Sequence, residues 1–141
     1  SVYGEVTASS CADGADVQAI RNGRRPASSS DDSLPDWISS GECPSEWIQM
    51  RFGQPRMIER LGLFWASYRQ VDVPARWHIE YLQDGTWHPF EKYITDAFGV
   101  SKDRFNTVHP AAELTCDGLR IHIDCQPGKS VGLLDLDMQL H

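Results

Sequence analysis

Leu119-Arg120-Ile121-His122-Ile123 and, beyond Gln126-Pro127-Gly128-Lys129-Ser130, the run Val131-Gly132-Leu133-Leu134-Asp135-Leu136-Asp137-Met138 decide the fold. Apolar and polar residues alternate along them, the period of a strand with one buried face. The same alternation runs through Trp47 to Phe52, Ile58 to Trp65 and Trp77 to Tyr81, each bounded by turn residues. Such a chain is expected to fold as an all-β sandwich, and sandwiches carry their chemistry in end loops.

Working outward, Tyr3 to Ser9 reads as a first strand. Residues 10 to 46 are irregular and rich in Ser, Asp, Pro and Gly, with Val17, Ile20, Trp37 and Ile38 as apolar anchors. A loop this long inside a compact domain is usually functional or holds a ligand such as a metal. Strands are expected at Glu46 to Phe52 and, after Gly53-Gln54-Pro55, at Met57 to Trp65. Trp77 to Leu82 and Trp87 to Phe90 form a hairpin across Gln83-Asp84-Gly85. A three-residue loop there sets Tyr81 opposite Trp87, with Trp77 and Ile79 on their face and His88 beside Glu80 on the other. A two-residue turn would pair Tyr81 with His88 and bury an imidazole, so the three-residue register is preferred. Residues 91 to 104 read as a loop with one helical turn near Ile94 to Phe98, and 110 to 118 as another loop. Phe105 to His109, Leu119 to Ile123 and Leu133 to Gln139 complete the strands.

At 141 residues the chain is one domain, and 40% apolar content with five Trp suffices for a core. A net charge of −7 argues against a nucleic-acid or anionic-membrane surface, since both require excess Lys and Arg. Arg21, Arg24 and Arg25 are the one basic cluster and read as a solvated loop. No stretch resembles a signal peptide or a membrane span. The chain opens on Ser1 without Met and is read as a domain cut from a longer protein, expected to be monomeric.

The cysteines are Cys11, Cys43, Cys116 and Cys125, with no CxxC spacing to suggest zinc. Cys116 and Cys125 flank one expected strand, roughly 30 Å apart at about 3.3 Å per residue, and cannot pair with each other. Cys43 with Cys125 is geometrically feasible; four unpaired, mostly buried thiols are the alternative.

Because successive antiparallel strands reverse direction, connections alternate between the two ends of the sandwich. Connections 28–45, 66–75, 91–104 and 124–131 then share one end. That rim carries Trp37, Tyr68, Arg69, Tyr93, Phe98, Lys102 and Arg104. Aromatic faces beside cations and amides suit a polyhydroxylated ligand, the rings stacking on C–H faces while planar donors hold hydroxyls.

Ala27-Ser28-Ser29-Ser30, Trp37-Ile38-Ser39, Glu46-Trp47-Ile48-Gln49-Met50-Arg51-Phe52-Gly53, Arg120-Ile121 and Ser130-Val131-Gly132-Leu133-Leu134-Asp135, in that order and spacing, resemble the discoidin or coagulation-factor type C domains. The chain is most similar to non-catalytic modules attached to bacterial glycoside hydrolases, notably β-L-arabinofuranosidase-like enzymes. The resemblance spans nearly the whole chain. It implies a galactose-binding-like jelly-roll sandwich, a carbohydrate ligand, a catalytic glycoside hydrolase domain in the same polypeptide, and a secreted or periplasmic setting.

The resemblance also implies a calcium ion held by two acidic positions. Asn22, within Ala19-Ile20-Arg21-Asn22-Gly23, stands at the first, and Asp135 stands where a longer Glu is usual. Both offer oxygen, and Ca²⁺ accepts six to eight oxygens, amide and carbonyl included. Sugar contacts vary within the family, so only the loop region carries over. Within it Trp37, Tyr68, Arg69, Phe98 and Arg104 are the candidate ligand-binding residues. Asn106 is read as a brace at the start of its strand, and Trp65 as core.

Catalysis is not expected. Glycoside hydrolysis needs two facing carboxyls, one with its pKa raised by burial, and nothing suggests an apolar pocket around Asp72, Asp96 or Asp103. No nucleophile elbow, phosphate loop or HExxH occurs. The expected function is a non-catalytic carbohydrate-binding module that targets a bacterial glycoside hydrolase to plant or host glycans. The alternative is an accessory domain that packs on a catalytic glycosidase domain without sugar affinity of its own.

Overall fold

The computed structural model describes residues 5–8, 37–38, 45–67, 71–94, 96–102 and 104–140. The strands are β1 (Glu5–Ala8), β2 (Trp37–Ile38), β3 (Ser45–Trp65), β4 (Arg76–Gln83), β5 (Thr86–Pro89), β6 (Asn106–Val108), β7 (Leu114–Asp124) and β8 (Gly132–Leu140). All their pairings are antiparallel. This is the all-β architecture expected from the alternating pattern.

The two strands expected at 46–52 and 57–65 are a single strand of 21 residues. Its first half pairs with β1 on one side and β7 on the other. Its second half pairs with β8 and β6. The ladder with β7 shifts register between Arg51 and Arg56. Gly53 brings no side chain and Pro55 no N–H, so the ladder loosens there and the ribbon folds over. β7 makes the same bend and starts at Leu114, opposite Ile58, so much of the loop expected at 110–118 is strand. One layer holds β1, the first half of β3, most of β7, β4 and β5. The other holds β2, β8, the second half of β3 and β6.

Between the layers lies a core that includes Ile48, Met50, Ile79, Leu119, Ile121 and Ile123 from the first and Leu61, Leu63, Trp65, Leu136 and Met138 from the second. Ile48, Met50, Leu61, Leu63 and Trp65 have no exposed surface. Burying side chains of this size contributes about 2 kcal/mol each. Phe64, Ala66, Val71 and Leu134 form a smaller cluster on the opposite side of β3, against Phe105.

The β4–β5 hairpin corrects the expected register. Gln83 lies opposite Thr86, Leu82 opposite Trp87 and Tyr81 opposite His88. The turn therefore has two residues, Asp84 at φ 53° and Gly85 at φ 77°. Two left-handed residues make a type I′ turn, whose twist matches the flanking strands, and Asp is among the side chains that tolerate that region. The His88 imidazole is not sealed in the core: it is half-buried and stacks on Tyr81 with ring centroids 5.3 Å apart. Trp87 shares a face with Leu82 and Glu80 instead of Tyr81, and the guanidinium of Arg120 lies 4.0 Å above its ring.

Cys125 is disulfide-bonded, which rejects the all-thiol alternative; Cys11 and Cys43 lie outside the described residues. Cys116 is a free, buried thiol within β7. Burial is the main influence that pushes it up to about 11.

Candidate functional site

β3 ends at Trp65, and the amide of Ala66 donates to the Gly132 carbonyl at the start of β8. The next described residues cross to the 124–131 connection. Val71 bridges Ser130, the Asp72 amide donates to the Ser130 carbonyl, and Gln126 Nε2 donates to the Val73 carbonyl at 2.9 Å. The Ala75 amide donates to Asp124 just before β4 begins. β2 lies alongside Leu133 and Gly132. β2, which lies within connection 28–45, and the described residues of connections 66–75 and 124–131 thus meet at one end, where strand reversal predicts these connections to gather.

The fourth connection reaches the same end through two tryptophans. The indole N–H groups of Trp65 and Trp77 both donate to the Gly99 carbonyl, at 3.2 and 2.8 Å. The Trp65 and Trp77 rings meet at 5.6 Å, and Phe98 meets Trp77 at 5.0 Å, both edge to face. These three rings close the end of the core, and the loop lies over them. Asn106, 6% exposed, ties the loop back onto the sandwich. Its Oδ1 accepts from the Ser101 amide, and its Nδ2 donates to the carbonyls of Ser101 and Leu63. Lys102 Nζ lies 3.9 Å from Asp72 Oδ1, so loops 96–105 and 66–75 face each other across the mouth. The same Asp72 oxygen accepts from Ser67 Oγ and the Val73 amide.

The candidate residues fare differently. Arg104 sits on this rim with an exposed side chain. Phe98 is there too, but one side of its ring is spent on Trp77, so it both plugs the core and lines the mouth. Trp37 belongs to β2, opposite Leu133, at the same end. Asp135 belongs to β8, opposite Phe64. Tyr68, Arg69 and Asn22 lie outside the described residues. Asn106 is the brace and Trp65 the core residue that their patterns predict.

Two expectations for the 91–104 loop fail. Tyr93 is not at the mouth: its amide donates to His109, and Lys92 bridges Pro110, so residues 91–93 run beside 109–111. No helical turn forms among the described residues near Ile94–Phe98; the Asp96 amide closes a tight turn onto Tyr93 instead. The reason is a clamp that the sequence did not reveal. Asp96 Oδ2 accepts from both the amide and Nδ1 of His109, at 2.7 and 2.9 Å. Partial burial alone would raise the Asp96 carboxyl. The His109 hydrogen bonds, with the His109 and Lys92 charges, outweigh it and hold the carboxyl below its ordinary value.

The outer face of the first layer carries a second polar set. His78 stacks flat on His122 at 4.9 Å, and His122 Nε2 bonds Glu80 Oε1. Arg120 donates twice to Gln49 Oε1. Neighbours on the same sheet face supply polar partners for His122, Glu80, Arg120 and Gln49, which is the arrangement of a structural network.

The family model for the F5/8 type C domain matches residues 5–132, and the chain belongs to that family. The fold is accordingly the galactose-binding-like β-sandwich of that family. No curated protein sequence matches the chain. Among solved structures it is similar to chitosan-binding module 1 of a chitosanase/glucanase from Paenibacillus sp. IK-5, at 15% identity and TM-score 0.72, over 98% of this chain and 96% of that one. It is similar to the family 32 carbohydrate-binding module of Clostridium perfringens NanJ, solved in complex with galactose, at 10% identity and TM-score 0.73, over 95% and 91%. A Streptococcus pneumoniae β-galactosidase structure aligns at 12% identity and TM-score 0.75, over 96% and 95%. At such identities the likeness is one of fold.

Proposed function

We propose that this domain is a non-catalytic carbohydrate-binding module, with its ligand held at the mouth formed by loops 66–75, 96–105 and 124–131 and by β2. The observation that carries the reading is the convergence of these connections over the Trp65–Trp77–Phe98 plug. Exposed Arg104 and Lys102 supply planar and cationic donors beside the half-buried ring of Phe98, a combination that suits hydroxylated rings, while Trp65 and Trp77 lie beneath the loop and hold it in place. Modules of the same fold are described as chitosan-binding and as galactose-bound, which supports the reading.

Such a module acts by concentration. It tethers a catalytic glycoside hydrolase domain of the same polypeptide to plant or host glycans and thereby raises effective substrate concentration, with no barrier of its own to lower. The Cys125 disulfide supports an oxidising compartment, hence a secreted or periplasmic setting. Calcium at Asn22 and Asp135 is part of the same proposal: amide and carboxylate oxygens fit a hard cation. Its role would be to stiffen the loops, and a calcium-dependent rise in melting temperature that chelation reverses is its test.

A shallow mouth predicts a dissociation constant of about 0.1–1 mM, equivalent to about −5 kcal/mol. Calorimetric titration with galactose, arabinose and glucosamine oligomers, with and without calcium, checks the proposal. Arg104→Ala should weaken the bound sugar about tenfold while leaving the melting temperature in place. Absence of binding to any glycan on a broad array would leave the accessory-domain alternative standing in its place.

A further inference from the structure

Away from the mouth, a cavity of about 310 Å³ opens beside the β4–β5 hairpin. Tyr81 and His88 form one wall, Pro89 and Pro110 flank it, and Glu91 and Glu113 stand at its edge. Along β4, Tyr81 lies four residues beyond Trp77, or about 13 Å at roughly 3.3 Å per residue, towards the far end of the sandwich. No residue of the mouth contributes to it.

We propose that this cavity is a second ligand site, for a cationic amino-sugar unit, a pyranose carrying a free ammonium. Three features select that chemistry. The wall is a stacked pair of rings, Tyr81 on His88 with 29° between planes, and the prolines extend the apolar surface. Such a surface fits the C–H face of a sugar ring, and the tyrosine face also attracts a cation. The charged groups lining it are both carboxylates, and no Lys or Arg lines it. The neighbouring Lys92 acts on Asp96. The volume lies at the small end of the range of about 300–1,000 Å³ for small-molecule sites, enough for one ring and not for an extended chain.

The site is also preformed. The Ala111 amide donates to the Glu91 carbonyl at 2.8 Å, Lys92 bridges Pro110, and the Asp96–His109 clamp fixes the segment that follows. A rigid cavity spares the ligand the cost of ordering loops. This inference does not rest on sugar binding at the mouth.

The test is a titration of the ¹⁵N-labelled domain at pH 7 with three probes: a glucosamine trimer, its N-acetylated counterpart, and trilysine. The glucosamine trimer should shift amides of Tyr81, His88, Glu91 and Ala111 with a dissociation constant near 1 mM. N-acetylation, which keeps the ring and removes the charge, should weaken that binding at least about tenfold. Glu91→Gln with Glu113→Gln should weaken it to a similar degree, and both side chains are exposed, so folding should survive. Raising salt to 0.5 M should weaken it several-fold through screening. Equal affinity for the acetylated trimer, equal binding of trilysine, unmoved cavity amides, or shifts confined to the mouth around Lys102, Arg104 and Gln126 would each overturn the proposal. Shifts at the mouth alone would leave the proposed function intact, and shifts at the cavity alone would sustain this inference without it.

Discussion

Asp96 shows how one carboxylate sets the path of a loop. It binds an amide and an imidazole of His109 at once, and so holds residues 91–94 against 109–111 while leaving 96–105 to climb to the mouth. Its folded pKa lies below the ordinary carboxyl value of 3.8. A depressed carboxyl stabilises the fold above its unfolded pKa, and that contribution is lost as pH falls through the lower folded value. Asp96→Asn should therefore cost about 1 kcal/mol at pH 7, roughly 3 °C in melting temperature. The difference from wild type should shrink as pH drops below 3.8, which melts at pH 7 and pH 3 will show. Cys116 gives the converse case. Buried within β7 and pushed up to about 11, its thiol should resist iodoacetamide at pH 8 in the native protein and react once guanidinium unfolds it, as peptide mapping would reveal. Neither behaviour was legible in the sequence. Asp96 and His109 are thirteen residues apart with no periodic relation, and a lone cysteine reads the same whether it ends a strand or lies within one.

At the scale of elements, the bend shared by β3 and β7 depends on Gly118. A Cβ built there would lie 2.5 Å from the Met50 carbonyl oxygen, a backbone atom with no room to yield. Gly118→Ala should destabilise the domain by about 2–3 kcal/mol, and calorimetric unfolding should show a drop of roughly 5–10 °C. Gly85→Ala is the contrast. Its Cβ would meet nothing within 4 Å, so only the φ of +77° matters, at a cost of about 1 kcal/mol. These glycines mark where reading by pattern succeeds and where it fails. Alternation located the buried faces of β3, β4, β7 and β8 because a side-chain period of two is intrinsic to a strand. Gly53-Gln54-Pro55 looks like any strand terminator, so the continuity of β3 stayed hidden. The hairpin register turned on whether Asp84 would accept a positive φ, a local choice that Asp-Gly signals more directly than the fear of burying His88.

For the whole molecule, β3 and β7 run through the bend between the layers, so neither layer can open without disturbing the other. Heat or denaturant should unfold the domain in one transition, with far-ultraviolet dichroism and tryptophan emission tracing coincident curves. Two separated midpoints would show that the layers melt apart. The mouth, too, is a property of the whole: strand reversal predicted the end at which the described parts of these connections meet, and the side chains of Trp65, Trp77 and Asn106 then hold residues 99–101 there. What reversal could not predict was the detour of residues 91–94 along the flank, because that route is set by the Asp96 contact and not by strand direction. The cavity beside Tyr81 stayed hidden for a related reason, since it exists only in the two-residue register that sets His88 against that ring.

The Gly99 carbonyl, shared by two indoles, has an optical consequence. Trp65 is 0% exposed and Trp77 3%, so water does not govern their emission. A ligand that draws the overlying loop by a few tenths of an ångström alters the field on both chromophores together. The domain is thereby its own dye, and occupancy of the mouth can be followed by ultraviolet difference spectroscopy on unlabelled protein.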